Sequence, residues 1–162
     1  MAVTTQYSTE YDTGFVTQDD KLRPHELGGR VKVAYFKHTQ SGAGDATSSA
    51  ALVKLPPGRV RVLASMSKAY FNWTTASATA DIGWDAYTDF AGDEVSEGPN
   101  GIDDGIDVDV AGFQTFGSAL TATGGTKVFE SQDGVVIRAT SQDVAIADGD
   151  VVAGFLLYVP ED

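Results

Sequence analysis

Asp150-Val151-Val152-Ala153-Gly154-Phe155-Leu156-Leu157-Tyr158-Val159-Pro160 is the stretch on which the fold turns. It is nearly continuous in apolar residues, too short for a bilayer span, rich in β-branched and aromatic side chains, and stopped by a proline. That combination predicts a central strand, paired on both edges and buried on both sides.

Working outward from it, the chain breaks into short β-rich runs. Val31 to Phe36 is one, with Val31, Val33 and Tyr35 sharing a face. Ala50 to Leu55 is another, stopped by the turn residues Pro56-Pro57-Gly58. Arg59-Val60-Arg61-Val62-Leu63 alternates, with Val60 and Val62 on one face and both arginines on the other. Lys68 to Trp73, Asp81 to Tyr87, Lys127 to Phe129, Val135 to Thr140 and Val144 to Ile146 continue the series. In Ile106-Asp107-Val108-Asp109-Val110 the acids alternate outward. Residues 91–105 have the composition of a loop, and only Ala111 to Leu120 leaves room for a helical turn. Short strands at this spacing, with 18 glycines to turn them, predict an all-β fold. The expected architecture is a jelly-roll-like antiparallel β-sandwich over residues 31–162. An immunoglobulin-like topology is the alternative, without that fold's cysteine–tryptophan–cysteine hallmark.

Residues 1–30 differ in texture. They are polar, carry no period of 2 or 3.6 sustained over their length, and read as an extended N-terminal arm. Tyr7, Tyr11 and Phe15 are spaced along it, as suits docking onto another surface. Lys21, Arg23, Arg30 and Lys32 flank the junction of arm and domain, where they can pair with acids on a partner or another copy. Charge is uneven along the chain. Residues 1–70 hold 9 Lys/Arg against 6 Asp/Glu, whereas residues 71–162 hold 2 against 17. Such asymmetry predicts faces with different partners, and a formal charge of −12 argues against general nucleic-acid binding.

Catalytic and cofactor chemistry finds few footholds. There is no cysteine, so disulfides and thiolate chemistry are excluded for these residues. The two histidines, His25 and His38, have no nucleophile motif beside them, and no phosphate-cradling glycine loop is followed by Lys-Ser/Thr. Asp103-Asp104-Gly105-Ile106-Asp107-Val108-Asp109 departs from the calcium-loop pattern and reads as a solvated acidic face. No apolar run spans a membrane and no signal-peptide layout opens the chain, which predicts cytosolic assembly. The expectation is a protein without enzymatic activity, cofactor, metal, nucleic-acid partner or membrane partner.

The pattern of Tyr7-Ser8-Thr9-Glu10-Tyr11, Lys54-Leu55-Pro56-Pro57-Gly58 running into Arg59–Leu63, Ala80-Asp81-Ile82-Gly83-Trp84, Gly101–Asp107 and the apolar strand after Asp148-Gly149-Asp150 resembles the capsid decoration, or cement, proteins of tailed bacteriophages. The resemblance covers roughly residues 50–160. It implies a jelly-roll-like domain that assembles in the host cytoplasm onto the capsid exterior. It also implies a homotrimer that binds the major capsid protein and locks neighbouring subunits together. The competing expectation is a receptor- or carbohydrate-binding module of a phage fibre or tail, with Trp73, Trp84, Tyr87 and Phe90 as a sugar-stacking surface.

Overall fold

The computed structural model describes residues 30–161. Twelve strands follow one another: β1 (Lys32–Thr39), β2 (Ser49–Lys54), β3 (Gly58–Leu63), β4 (Lys68–Asn72), β5 (Thr79–Trp84), β6 (Tyr87–Thr88), β7 (Glu94–Val95), β8 (Gly98–Asp107), β9 (Gly112–Thr115), β10 (Thr126–Ser131), β11 (Val136–Ser141) and β12 (Val151–Pro160). A six-stranded antiparallel sheet runs β10-β3-β12-β4-β9 with β1 on the remaining edge of β12. A four-stranded sheet runs β2-β11-β5-β8, and β6 and β7 form a small hairpin.

The register reduces the first sheet to four columns. β3 pairs with Tyr158–Pro160 and β4 with Val151–Phe155, so the two lie end to end along one edge of β12. β10 and β9 likewise lie end to end beside them. A 3-10 turn, Ala64–Met66, makes the break between β3 and β4. Ser67 repairs the ladder there: its buried hydroxyl donates to the Leu63 carbonyl at 2.9 Å and accepts the Leu157 N–H at 2.9 Å. Without that hydroxyl the Leu157 N–H is a donor with no strand opposite it, a costly arrangement in an interior.

Counted as columns, the first strand pairs with the last (β1 with β12) and the second with the seventh (β2 with β11). The third pairs with the sixth, and β5 with β8. This nested pairing is a hairpin of the whole chain rolled into two layers, the jelly roll expected from the sequence. Between the layers lie Val60, Val62, Phe71 and Phe129 of the first sheet and Ile82, Ile102 and Ile137 of the second, all nearly inaccessible.

Three sequence expectations need correction. Residues 91–105 are not one loop: β7 and most of β8 run through them. Glycine there serves packing rather than turning, since a Cβ on Gly98 or Gly101 would lie 2.5 Å or 2.2 Å from the Trp84 ring. Val144–Ile146 forms no strand, only a bridge from Ile146 to Gly44. Finally, β12 is central as expected, but it is covered on one side only. Val152 and Leu156 are buried, whereas Val151, Ala153, Phe155 and Leu157 face outward and are half-buried. Tyr7, Tyr11, Phe15, Lys21 and Arg23, and the arm apart from Arg30, lie outside the described residues.

Candidate docking surface

The uncovered side of β12 belongs to a continuous face. Residues directly opposite in an antiparallel pair point the same way, so the register assembles the outer face row by row. Tyr35, Phe155, Lys68 and Thr115 form one row. Lys37, Ala153, Tyr70 and Phe113 form the next. On the other side of the first row, Val33 lies opposite Leu157. Tyr35 meets Phe155 edge-on with ring centroids 6.4 Å apart, and Tyr70 meets Phe113 at 5.4 Å. These contacts leave most of each rim ring open: Tyr35 is 79% exposed and Phe113 74%. Val31, Met66 and Val110 are also exposed large apolar residues. Scattered apolar residues are ordinary on a surface, but a contiguous sheet face of them marks an interaction site.

One end of the face is closed by an ionic cluster. Arg59 Nε and Arg61 Nε each donate to one oxygen of Glu161, at 2.6 Å, and Arg59 also pairs with Glu130. The Glu161 side chain is 2% exposed, while its N–H donates to the Arg59 carbonyl at 2.7 Å. The cluster fixes the chain after β12 to β3, where Val159, opposite Arg61, is buried although it points outward. Lys37 and Lys68, by contrast, have no ion-pair partner among the described residues.

The charge asymmetry read along the sequence becomes an asymmetry of layers. The strands of the first sheet carry Lys32, Lys37, Arg59, Arg61, Lys68 and Lys127 against Glu130 alone. Those of the second carry Lys54 and Arg138 against Asp81, Asp103, Asp104 and Asp107.

The outer face of the second sheet bears a shallow, open depression of about 580 Å3, lined among others by Asp81, Asp85, Glu97, Arg138 and Gln142. Several of its polar groups are held within the fold. Arg138 clasps Asp85 with Nε and Nη2 and donates from Nη1 to Ser49 Oγ at 2.7 Å. The Asp85 partnership holds the guanidinium pKa above its ordinary value. Asp81 accepts the Gly105 N–H at 2.8 Å. Burial, and then the nearby Asp104, Asp143 and Asp103, hold its carboxyl above the usual aspartate range. The lining hydroxyls of Thr47, Ser49, Thr140 and Ser141 have no histidine or lysine among the residues that line the depression. No group of three His, Cys, Asp or Glu among the described residues can hold a metal ion.

Of the sequence-derived partner residues, Arg30 and Lys32 are described, both exposed at the start of β1 on the edge of the first sheet. Trp73, Trp84, Tyr87 and Phe90 do not form a stacking platform. Trp73 is buried against Phe71, and Trp84 and Tyr87 both pack edge-on against Phe129, at 5.3 and 5.9 Å. Lys127 Nζ sits 4.6 Å from the centre of the Trp84 ring, whose N–H donates to the Ser96 carbonyl at 3.2 Å. Only Phe90, at 53% exposure, is open. Tyr35, Phe155 and Phe113 were not singled out as partner residues from the sequence. The available signal was the doubly apolar character of β1 and β12, which is ordinary in a strand covered on both sides and informative in one that is not.

No protein-family model and no curated protein sequence matches the chain. Solved structures do match its fold. A chain of the structure described as the capsid of Ralstonia phage GP4 aligns with a TM-score of 0.59 and 20% identity, over 83% of this chain and 86% of that one. A chain of the cyanophage Pam1 capsid asymmetric unit aligns with a TM-score of 0.51 and 18% identity, over 83% and 87%.

Proposed function

We propose that this chain is a virion structural protein of the decoration or cement kind. It binds the exterior of a phage capsid between major capsid protein subunits, as a homotrimer and without enzymatic activity. The observation that carries the proposal is the uncovered apolar face of the first sheet, from Val33 and Tyr35 through Phe155 and Leu157 to Tyr70 and Phe113. An isolated domain gains nothing from such a face, whereas a component of a larger assembly uses it to exclude water from a contact. The near whole-length likeness to chains from two phage capsids supports the same reading, as does the resemblance carried by the sequence motifs. The arm residues Tyr7, Tyr11 and Phe15, with the junction cations Lys21, Arg23, Arg30 and Lys32, add further contacts to the shell or to a neighbouring copy.

Mechanically, such a protein stabilises the shell by mass action, because it binds the closed lattice and not the separated subunits. Individually weak contacts become strong when three copies engage neighbouring sites together. The test is co-sedimentation of the purified chain with empty shells of its cognate major capsid protein. The wild type is expected to bind saturably and to raise the temperature at which the shells come apart. A Tyr35→Asp, Phe113→Asp double variant is expected to remain folded and to lose binding. Equal binding by the two proteins, or none by either, defeats the proposal.

A further inference from the structure

The first sheet ends on β1, and the ladder that holds β1 in place leaves half of its backbone groups turned away from the fold. The Gln40 N–H donates to the Asp150 carbonyl at 2.8 Å, in line with the β1–β12 register. In an antiparallel ladder such bonded pairs recur at every second residue. Ala34, Phe36 and His38 therefore bond to β12, and the N–H and C=O groups of Val33, Tyr35 and Lys37 point to the open side. No other strand or loop among the described residues bonds to them.

Native sheets usually blunt their edges, because such a row of groups is a template for further pairing. Here β9 is four residues long, and β8 carries Pro99 and two register shifts. β10 turns Lys127 inward, opposite the buried Val62, and β2 pairs through a register shift. β1 has no proline, glycine or register shift in its eight residues. Val31 just before it, and Val33 and Tyr35 within it, are exposed. What the edge does carry is positive charge. Arg30, Lys32 and Lys37 have no acid near them in sequence between Glu26 and Asp45, and no ion-pair partner among the described residues. These cations oppose pairing with a second β1, which would double them in one ribbon, and favour a strand that brings carboxylates.

We propose that the open edge of β1 is a strand-addition site, which takes an extended acidic segment of a partner protein as a further antiparallel strand of the first sheet. Backbone bonds to Val33, Tyr35 and Lys37 supply affinity, and side chains set the choice of segment. Opposite residues share a face. The segment therefore places apolar residues opposite Val33 and Tyr35 and an acid opposite Lys37, all outward, while a second acid meets Lys32 on the other face. The added strand widens the apolar outer face beyond Tyr35.

This goes beyond the function proposed above, and its test involves no shell, so the two stand or fall separately. The probe is a synthetic peptide, Glu-Thr-Val-Thr-Val-Glu-Val. In antiparallel register its first Glu meets Lys37, its second meets Lys32, and its valines meet Tyr35, Val33 and Val31. A counterpart carries Lys in place of both Glu. Amide hydrogen exchange of the full chain is followed residue by residue by NMR. In the free protein the amides of Val33, Tyr35 and Lys37 are expected to exchange much faster than those of Ala34, Phe36 and His38. Near-saturating acidic peptide should slow them about tenfold, and the lysine peptide should leave them unchanged. Val33→Pro removes one open donor and spares the β12 ladder. It should abolish the slowing with an unchanged circular dichroism spectrum. Lys37→Glu, which leaves the backbone intact, should weaken binding of the acidic peptide several-fold. Slow exchange at Val33, Tyr35 and Lys37 in the free protein would mean that the edge is already filled. That result, no slowing by the acidic peptide, equal slowing by both peptides, or unaltered binding in either variant would overturn the proposal.

Discussion

The two sheets of this jelly roll are alike inside and unlike outside. Each contributes alternate apolar side chains to one shared core. Outward, the second sheet is polar, and several of its charged groups are held within the fold, in the Arg138–Asp85–Ser49 cluster and the Asp81 contact with Gly105. The outer face of the first sheet is apolar, with ions tied at one end and, elsewhere, lysines that have no ion-pair partner among the described residues. A polar outer face with its groups satisfied is finished as it stands, whereas an apolar one is complete only with something on it. The layers thus differ outside: one face is largely satisfied within the fold, the other leaves apolar side chains open.

That contrast can be broken in order of expected effect. The second sheet is tight even on its outside: a Cβ on Gly83 would come within 1.9 Å of the Gly98 carbonyl oxygen and 2.3 Å of that of Pro99. Gly83→Ala should therefore cost about 3 kcal/mol of stability in chemical denaturation. Ala153→Ser, at the middle of the contact face, should stay within about 0.5 kcal/mol of wild type. Similar losses for the two would erase the distinction.

Next, Glu161→Gln weakens the cluster that closes the face and should cost about 1–3 kcal/mol, with a smaller loss in high salt. No loss would mean that the two arginines are held by the rest of β3.

The smallest effect expected is at Asp81. Its carboxyl titrates above the ordinary aspartate value of 3.8, so the folded chain holds that proton more tightly than the unfolded chain does. Its contribution to stability is therefore present in acid and lost as the pH rises through the folded-state value. Asp81→Asn keeps an acceptor for the Gly105 N–H and should flatten that part of the pH–stability curve, leaving the variant at least as stable at neutral pH. A variant weaker than wild type at neutral pH but not in acid contradicts the sign.

Much of this architecture was legible in the residues. The alternation of Arg59–Leu63 placed Val60 and Val62 inside and both arginines outside, as found. Ile106 and Val108 are buried with Asp107 and Asp109 exposed, although the strand stops at Asp107, Val110 is 72% exposed, and Asp103, read as part of the same solvated face, is buried and accepts from Ser118. The misreading of 91–105 has a clear cause. Gly98 and Gly101 look like turn residues until Trp84, more than a dozen residues earlier, is known to lie on them. The candidate surface was less legible. Arg30 and Lys32 stand at its edge, while Tyr35, Phe155 and Phe113 come from three strands far apart in sequence, and no local pattern reports that they share a face.

By itself the sequence determined the fold class, the central place of β12 and the inward set of each alternating strand, because those follow from side-chain period and turn chemistry along neighbouring residues. Only the tertiary structure decided which apolar faces are covered. Burial depends on what a second layer reaches, and here the second layer covers one side of β12 and leaves the other to be met from outside.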